Sequence, residues 1–270
     1  MSNTLSKGTA LITGASSGIG ATYADRLARR GYDLVLVARD KDRLDRIAGR
    51  LRGETGVAVE AMPGDLTAAG DLRRVEARLR QDSQIGLLVN NAGADAPGGL
   101  ADQDLDTQER LIRLNVTAVT RLAGAVVPRF LAAGGGAIVN VASVRALAPE
   151  VLPGIYAATK SFVLTFSQSL QIELGPRGLY VQAVLPGATR TEIWLRSGRD
   201  IDAIPSVGVM DVGELVDAAL VGFDRHELVT IPPLPDVGQW ERFAKARQAM
   251  LPNLSQKHPA ARYRAWEQAS

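Results

Sequence analysis

Thr9-Ala-Leu-Ile-Thr13-Gly-Ala-Ser-Ser-Gly-Ile-Gly20 decides the fold of this chain. A short apolar run of strand type meets a glycine loop, and a helical pattern starts at once behind it. Over Gly18–Arg30, Ile19, Tyr23 and Leu27 fall on one stripe, with Asp25, Arg26 and Arg29 off it. Strand, glycine turn and helix in that order open an α/β chain. Gly14, Gly18 and Gly20 let the backbone turn and approach a pyrophosphate. The helix start then offers free N–H groups and a positive dipole end. The spacing is G-x-x-x-G-x-G, not the G-x-G-x-x-G of the usual dinucleotide fingerprint. Nucleotide binding is expected here.

Outward from this unit the alternation continues. Apolar runs at Asp33–Val37, Val57–Ala61, Gly86–Asn90, Ala137–Val141, Tyr180–Leu185 and Leu228–Ile231 are short and nearly continuous in Val, Leu, Ile and Ala. Strands covered on both faces have that composition. Between them, Lys41–Leu51 (Leu44, Ile47, Leu51) and Asp71–Arg80 (Leu72, Val75, Leu79) read as charged amphipathic helices. Leu111–Ala133 reads as one long helix that Pro128 should kink or break, ended by Gly134-Gly-Gly136. Ile155–Leu174 is a second long helix, stopped at Gly175-Pro176. Residues 187–210 lack periodicity and read as a mobile loop or small lid. From Pro232 the chain turns Pro-rich and then charged, with Trp240 and Trp266. The repeated alternation predicts parallel strands joined by right-handed crossovers.

Length and composition narrow the function. A chain of 270 residues with 46% hydrophobic and 22% charged residues suits a single large α/β domain. Its 31 basic and 29 acidic residues leave a formal charge of +2, which gives no reason to expect nucleic acid or a membrane surface as partner. There is no cysteine, hence no disulfide, thiolate metal site or cysteine nucleophile. His226 and His258 are too few and too far apart for a metal site, so no metal is expected. No apolar stretch approaches the roughly 18 residues of a membrane span, and no signal-peptide pattern is visible. A cytoplasmic protein is expected.

Tyr156 and Lys160, in Gly154-Ile-Tyr-Ala-Ala-Thr-Lys160, carry the chemistry. Positions i and i+4 share a helix face, so the ammonium lies beside the phenol. Free tyrosine has a pKa near 10, and an adjacent cation lowers it. Such a tyrosine can hand a proton to a carbonyl oxygen or take one from an alcohol. The second strand ends in Val37-Ala-Arg39-Asp40. An NAD site often carries an acid there, whereas Arg39 offers charge-assisted bonds to a 2′-phosphate. Asp40 competes as a partner for Arg39. NADP(H) is expected in preference to NAD(H), with NAD(H) still possible.

With these residues in hand, the chain resembles the short-chain dehydrogenases/reductases, in their compact branch, over roughly residues 7–231. Thr13–Gly20 looks like the family's cofactor loop, with Ser16, Ser17 and Ile19 among its glycines. Asn90-Asn91-Ala92-Gly93 matches the motif after the fourth strand. Asn115, Ser143, Tyr156 and Lys160 fall where the family's catalytic tetrad falls. Pro186, Gly187, Thr189 and Thr191 match the segment that packs on the nicotinamide and bonds its carboxamide. Asp65, followed by Leu66, resembles the acid that meets the adenine amine.

The resemblance implies a doubly wound Rossmann-type sheet of about seven parallel strands, order 3-2-1-4-5-6-7, with helices on both faces. It implies one domain over residues 1–235, with 236–270 as a helical tail packed on it. It also implies an oxidoreductase that interconverts a carbonyl and a secondary alcohol, acting on a small molecule. Tyr156 would be general acid/base, Ser143 would bond the substrate oxygen, Lys160 the nicotinamide ribose, and Asn115 a relay water. The helices 111–133 and 155–174 would pair across a two-fold axis, giving a homodimer or homotetramer. Ala157, Ala158, Phe162, Leu164, Phe166 and Leu170 are more apolar positions than one buried stripe needs.

Ser17 departs from the pattern, since many NADP-dependent members carry a basic residue there, so the phosphate would rest largely on Arg39. Two other functions compete. A 3-oxoacyl thioester reductase would use Arg190, Arg196 and Arg199 as a basic surface for an acyl carrier. A non-catalytic NADP(H)-binding regulator would need neither Tyr156 nor Lys160. Ile193, Trp194 and Leu195, with Val144, Leu147, Val151 and Leu152, suggest an apolar or mixed pocket.

Overall fold

A computed structural model describes residues 7–96, 100–101, 104–150, 154–198, 200–203 and 208–264. The expectations placed on Val151, Leu152, Arg199, Trp266 and the Arg196 side chain lie outside them. The chain forms two compact units, Met1–Pro233 and Leu234–Ser270.

In the first unit, β1 (Thr9–Thr13), β2 (Asp33–Ala38), β3 (Val59–Pro63), β4 (Ile85–Asn90), β5 (Gly136–Val141), β6 (Leu179–Val184) and β7 (Val229–Thr230) form one sheet in the order 3-2-1-4-5-6-7. Every recorded strand pairing is parallel. The helices are α1 (Gly18–Arg29), α2 (Lys41–Thr55), α3 (Ala69–Gln81), α4 (Leu105–Ile112), α5 (Val119–Ala132), α6 (Ile155–Leu174), α7 (Ile193–Arg196) and α8 (Val212–Asp224).

Strand periodicity explains why both faces are covered. Ala10 and Ile12 of β1 point to one side, where they pack with Leu34, Leu36, Tyr23 and Leu27, and with Leu215 of α8. Leu11 points to the other, with Val35, Val37, Leu79, Leu122 and Phe130. A strand whose alternate residues are all apolar must bury both faces, and helices on each side provide the cover.

The structure corrects several boundaries. β3 starts at Val59 instead of Val57, because Gly56 closes α2 in the left-handed region (φ 76) and the Ala58 N–H bonds Asp33 at 2.8 Å before the strand aligns. β7 shrinks to two residues, since Pro232 and Pro233 have no N–H to extend the ladder. The long helix begins at Leu105 instead of Leu111, capped by Asp104, which accepts from the Thr107 N–H at 2.9 Å. Its irregularity is not at Pro128, because α5 runs through that residue. Pro128 and Gly124, whose carbonyl loses its helical donor, both face solvent, so water can satisfy the carbonyl. The break is instead a wide π-type turn over Arg113–Ala118.

Residues 105–132 together are long and apolar enough to cross a membrane by length and composition, where none was expected. In the most apolar window, 44% is buried within the protein. The segment 187–210 contains the short helix α7 and a turn at Ile201–Ala203, and its base is fastened by the Thr189–Met210 bridge.

The second unit carries α9 (Val237–Ala249), capped by Asp236, with Trp240 stacked on Phe243 at 5.6 Å.

Candidate active site

The strand order reverses between β1 and β4, and open parallel sheets bind ligands at such a switch point, beyond the strands' carboxyl ends. The glycine loop lies there. Gly14 adopts φ 66, a region disfavoured for side chains. A Cβ on Gly14 would sit 2.8 Å from the Asn91 amide nitrogen and 2.9 Å from Ala92 Cα. A Cβ on Gly20 would collide with the Gly14 carbonyl and the Asn91 amide. The loop is therefore a cradle that only glycine permits. Ser17 is extended at the start of α1, its side chain does not cap the helix, and no acid occupies the first turn. Those N–H groups suit an anion.

The loop is held by Thr13 and Asn91. The Asn91 amide donates to the Thr13 carbonyl at 2.8 Å, and Thr13 Oγ1 accepts from the Asn91 and Ala92 N–H groups at 3.0 Å each. Asn91 thus reaches the cofactor site by fixing its loop. The sequence shows Thr13 only as the first residue of the cofactor loop; its bonds to Asn91 and Ala92 escape it, because a Thr ending a strand is unremarkable without its partners after the distant β4.

At the end of β2, Asp40 does not pair with Arg39. It caps α2, accepting from the Arg43 N–H at 2.9 Å, and meets the Arg43 side chain at 3.3 Å. Arg39 is exposed and joins no recorded ion pair among the described residues. Arg43 also reaches Glu192 before α7 at 2.7 Å. Asp65 accepts from the Thr67 backbone and hydroxyl at 2.8 and 2.7 Å through one oxygen, which leaves its other oxygen for an adenine amine. Leu66 beside it is buried.

Ser143, Asn115, Tyr156 and Lys160 converge beyond β4 and β5. Ser143 is buried, and its Oγ accepts from the Arg145 N–H at 3.2 Å. The π-type turn brings Asn115 inward. Its Oδ1 accepts from the Ala94 N–H at 3.0 Å, and its amide donates to the Ala94 carbonyl (2.9 Å) and to Thr159 Oγ1 (3.1 Å). Thr159 donates in turn to the Tyr156 carbonyl at 2.7 Å. Gly93 passes so close that a Cβ there would be 3.3 Å from Lys160 Nζ and 3.4 Å from Asn115 Oδ1.

Lys160 is 5% exposed, donates to the Val141 carbonyl at 2.8 Å, and lies 5.6 Å from the Tyr156 ring centroid. Burial pushes its ammonium down to about 8, opposed by the charge of Asp95. Beneath the site, buried Asn90 donates to Asn140 at 3.0 Å, and Asn140 to Ser167 at 2.9 Å. Asn90 is thus a core polar group tying β4 to β5 and α6.

Buried Pro186 accepts from the Val144 N–H at 2.9 Å, tying the nicotinamide segment to the Ser143 turn. Thr189 is buried, donates to the Gly187 carbonyl at 3.1 Å, and accepts from the Trp194 indole at 2.9 Å. Thr191 faces Gly18, so both arms of the expected cofactor cleft meet. The described residues fit a nicotinamide dinucleotide: a Cβ-free cradle, a helix start with no acid in its first turn, an Asp65 whose bonds to Thr67 use one oxygen, and an exposed Arg39 in no recorded ion pair.

Fold and site define a dinucleotide-dependent dehydrogenase. The sequence profile of the short chain dehydrogenases matches residues 8–201, and this chain belongs to that family. Among solved structures, a short-chain dehydrogenase from Sphingobium yanoikuyae in complex with NADPH is 61% identical, with a TM-score of 0.93 over 95% of this chain and all of that one (100%). A bulky-bulky ketone specific alcohol dehydrogenase from Comamonas testosteroni is 54% identical, with a TM-score of 0.87 over 95% and 98% of the two chains. A very-long-chain 3-oxoacyl-CoA reductase from Anas platyrhynchos is 35% identical over 68% of this chain. The chain spans about 60% of the length of such curated relatives.

Proposed function

We propose that this chain interconverts bulky ketones and secondary alcohols with NADP(H), using Tyr156 as general acid/base. The single observation that carries the reading is the buried Lys160 ammonium beside the Tyr156 ring on one face of α6. The bound cofactor supplies or accepts the hydride. The Tyr156 hydroxyl gives its proton to the carbonyl oxygen in reduction and recovers it in oxidation. Ser143 accepts from the Arg145 N–H, so its own hydroxyl proton remains to bond the same substrate oxygen. Lys160 would hold the ribose of the bound cofactor, and its charge favours the phenolate. Asn115 Oδ1 keeps one acceptor position for a relay water.

The ketone class is supported by the 54% identical relative and by Ile193 and Trp194, half-buried apolar residues of the segment after β6. NADP(H) is supported by the NADPH-bound relative and by Arg39. Arg39→Ala is expected to weaken NADPH binding by about 1.5–3 kcal/mol, a charged hydrogen bond, and to leave NADH nearly untouched. Fluorescence titration with both cofactors measures this, and equal losses for the two would remove Arg39 from cofactor choice.

The 3-oxoacyl thioester reading is supported by the curated relatives, about 35% identical, and by a 30% identical solved 3-ketoacyl-(acyl-carrier-protein) reductase, both more distant than the ketone-specific relative. Arg190, expected to serve an acyl carrier, pairs with Asp202 at 2.8 Å instead. A regulator that only binds NADP(H) has no use for Tyr156 and Lys160 held in register with Ser143 and Asn115.

The active form is proposed to be at least a dimer. Ala157 and Leu164 of α6 are covered within the chain, but Ala158 and Phe162 face outward, with Phe162 stacked on Phe166 at 5.6 Å and Ile172 exposed further along. Pairing of α6 helices across a two-fold axis would cover that stripe and brace the Tyr156 helix. Light scattering of active protein should give a multiple of 28.7 kDa, and a clean 28.7 kDa species would exclude the dimer.

A further inference from the structure

Arg145 stands two residues after Ser143, and Asp95 two residues after Gly93. The structure joins them. Arg145 Nη1 lies 2.9 Å from Asp95 Oδ2, with the two side chains 9% and 10% exposed. A buried ion pair is a poor source of stability, because desolvating both charges offsets most of their attraction. Its location gives this one a purpose. Arg145 Cζ sits 4.5 Å from the Tyr156 ring centroid. The Arg145 backbone N–H also bonds Ser143 Oγ. One residue therefore touches both groups that flank the reacting oxygen.

We propose that Arg145, held by Asp95, is a positioning residue for Tyr156: its guanidinium fixes the plane of the phenol and sets a second positive charge beside it. The inference rests on Tyr156 being the acid/base. Planar guanidinium stacks on aromatic faces, and the attraction grows when the ring becomes phenolate. Asp95 keeps the guanidinium from swinging to water, and its own charge tempers the effect.

Three elements bring charge to Tyr156 among the described residues. Lys160 comes from α6 itself, Arg145 from the turn after β5, and Asp95 from the loop after β4, facing Arg145 and acting on Lys160. The two cations are not equivalent. Burial brings the Lys160 ammonium to about 8, whereas a guanidinium stays charged throughout. Arg145 thus maintains positive charge at the phenol where Lys160 begins to lose it.

The test is the pH dependence of kcat/KM for alcohol oxidation in full-length Arg145→Met, Arg145→Gln and Arg145→Lys, beside the wild type. Removing a cation disfavours phenolate, so the rising limb should move to higher pH by about one unit in the two neutral variants, with turnover at pH 7 down about tenfold. The NADPH dissociation constant should hold. Arg145→Lys keeps the charge and should keep the midpoint, with turnover reduced because an ammonium does not stack. A neutral variant whose midpoint stays at the wild-type value overturns the proposal, even if it is slow. If Met at this position prevents folding, Arg145→Gln retains a donor for Asp95 and gives the same reading. If neither neutral chain folds, wild-type turnover in Arg145→Lys overturns it. Tyr156→Phe, assayed alongside, separates the two ideas: retained turnover there removes the acid/base reading itself, whatever Arg145 does.

Discussion

Tyr156→Phe should lower turnover by at least about 100-fold, the lower range of what a positioned acid contributes. Phenylalanine keeps the ring that Arg145 and Lys160 face, at 4.5 and 5.6 Å, so the local packing survives. Only the hydroxyl is lost, and with it the proton delivered to the carbonyl oxygen. NADPH should bind as before, because the glycine cradle, Arg39 and Lys160 are intact. Steady-state assays and cofactor titration on the same preparation separate the two effects. Near-native turnover on a verified substrate would contradict the assigned role.

Lys160→Met should abolish function to a similar degree and yet stabilise the empty protein. The Lys160 ammonium is buried, and one backbone carbonyl at 2.8 Å is its recorded hydrogen-bond acceptor. Its titration falls from 10.5 to about 8. In this window the unfolded chain holds more protons than the folded one, so wild-type stability rises with pH between about 8 and 10.5. Below it, the full penalty of the buried charge applies, on the order of 3 kcal/mol. Methionine removes that penalty and refills most of the volume. The variant should melt a few degrees above wild type at pH 7. The difference should shrink toward pH 10. Lower melting at every pH would show that the ammonium is better satisfied than its surroundings indicate.

Much of this was legible in the sequence, for physical reasons. Strands buried on both faces leave continuous apolar runs, and α1, α2 and α3 leave stripes at helical period, so the layers followed; the strand order followed only from the resemblance to the family. Gly14 and Gly20 were legible because only glycine tolerates the close approaches they make. The Tyr156–Lys160 pair was legible from its i, i+4 spacing, whereas Asn115 and Ser143 were expected only from the resemblance to the family. What remained hidden depends on contacts between distant segments. Asn115 is drawn inward by Ala94 and Thr159, and the wide turn that permits this has no local signature. Asp40 chose the Arg43 N–H over the Arg39 side chain, a competition that residue order does not decide. Arg145 and Asp95 are 50 residues apart and meet only once β4 and β5 pair.

The central claim is reduction of a carbonyl through Tyr156 with NADP(H). Its most direct measurement follows the absorbance of NADPH while the purified chain meets a series of bulky ketones, 3-oxoacyl thioesters and small ketones, with the alcohol formed assayed in parallel. NADPH should be consumed in equal amount to the alcohol formed, fastest with bulky ketones and negligibly in Tyr156→Phe. A wild-type chain that binds NADPH tightly but leaves every carbonyl untouched would contradict the claim.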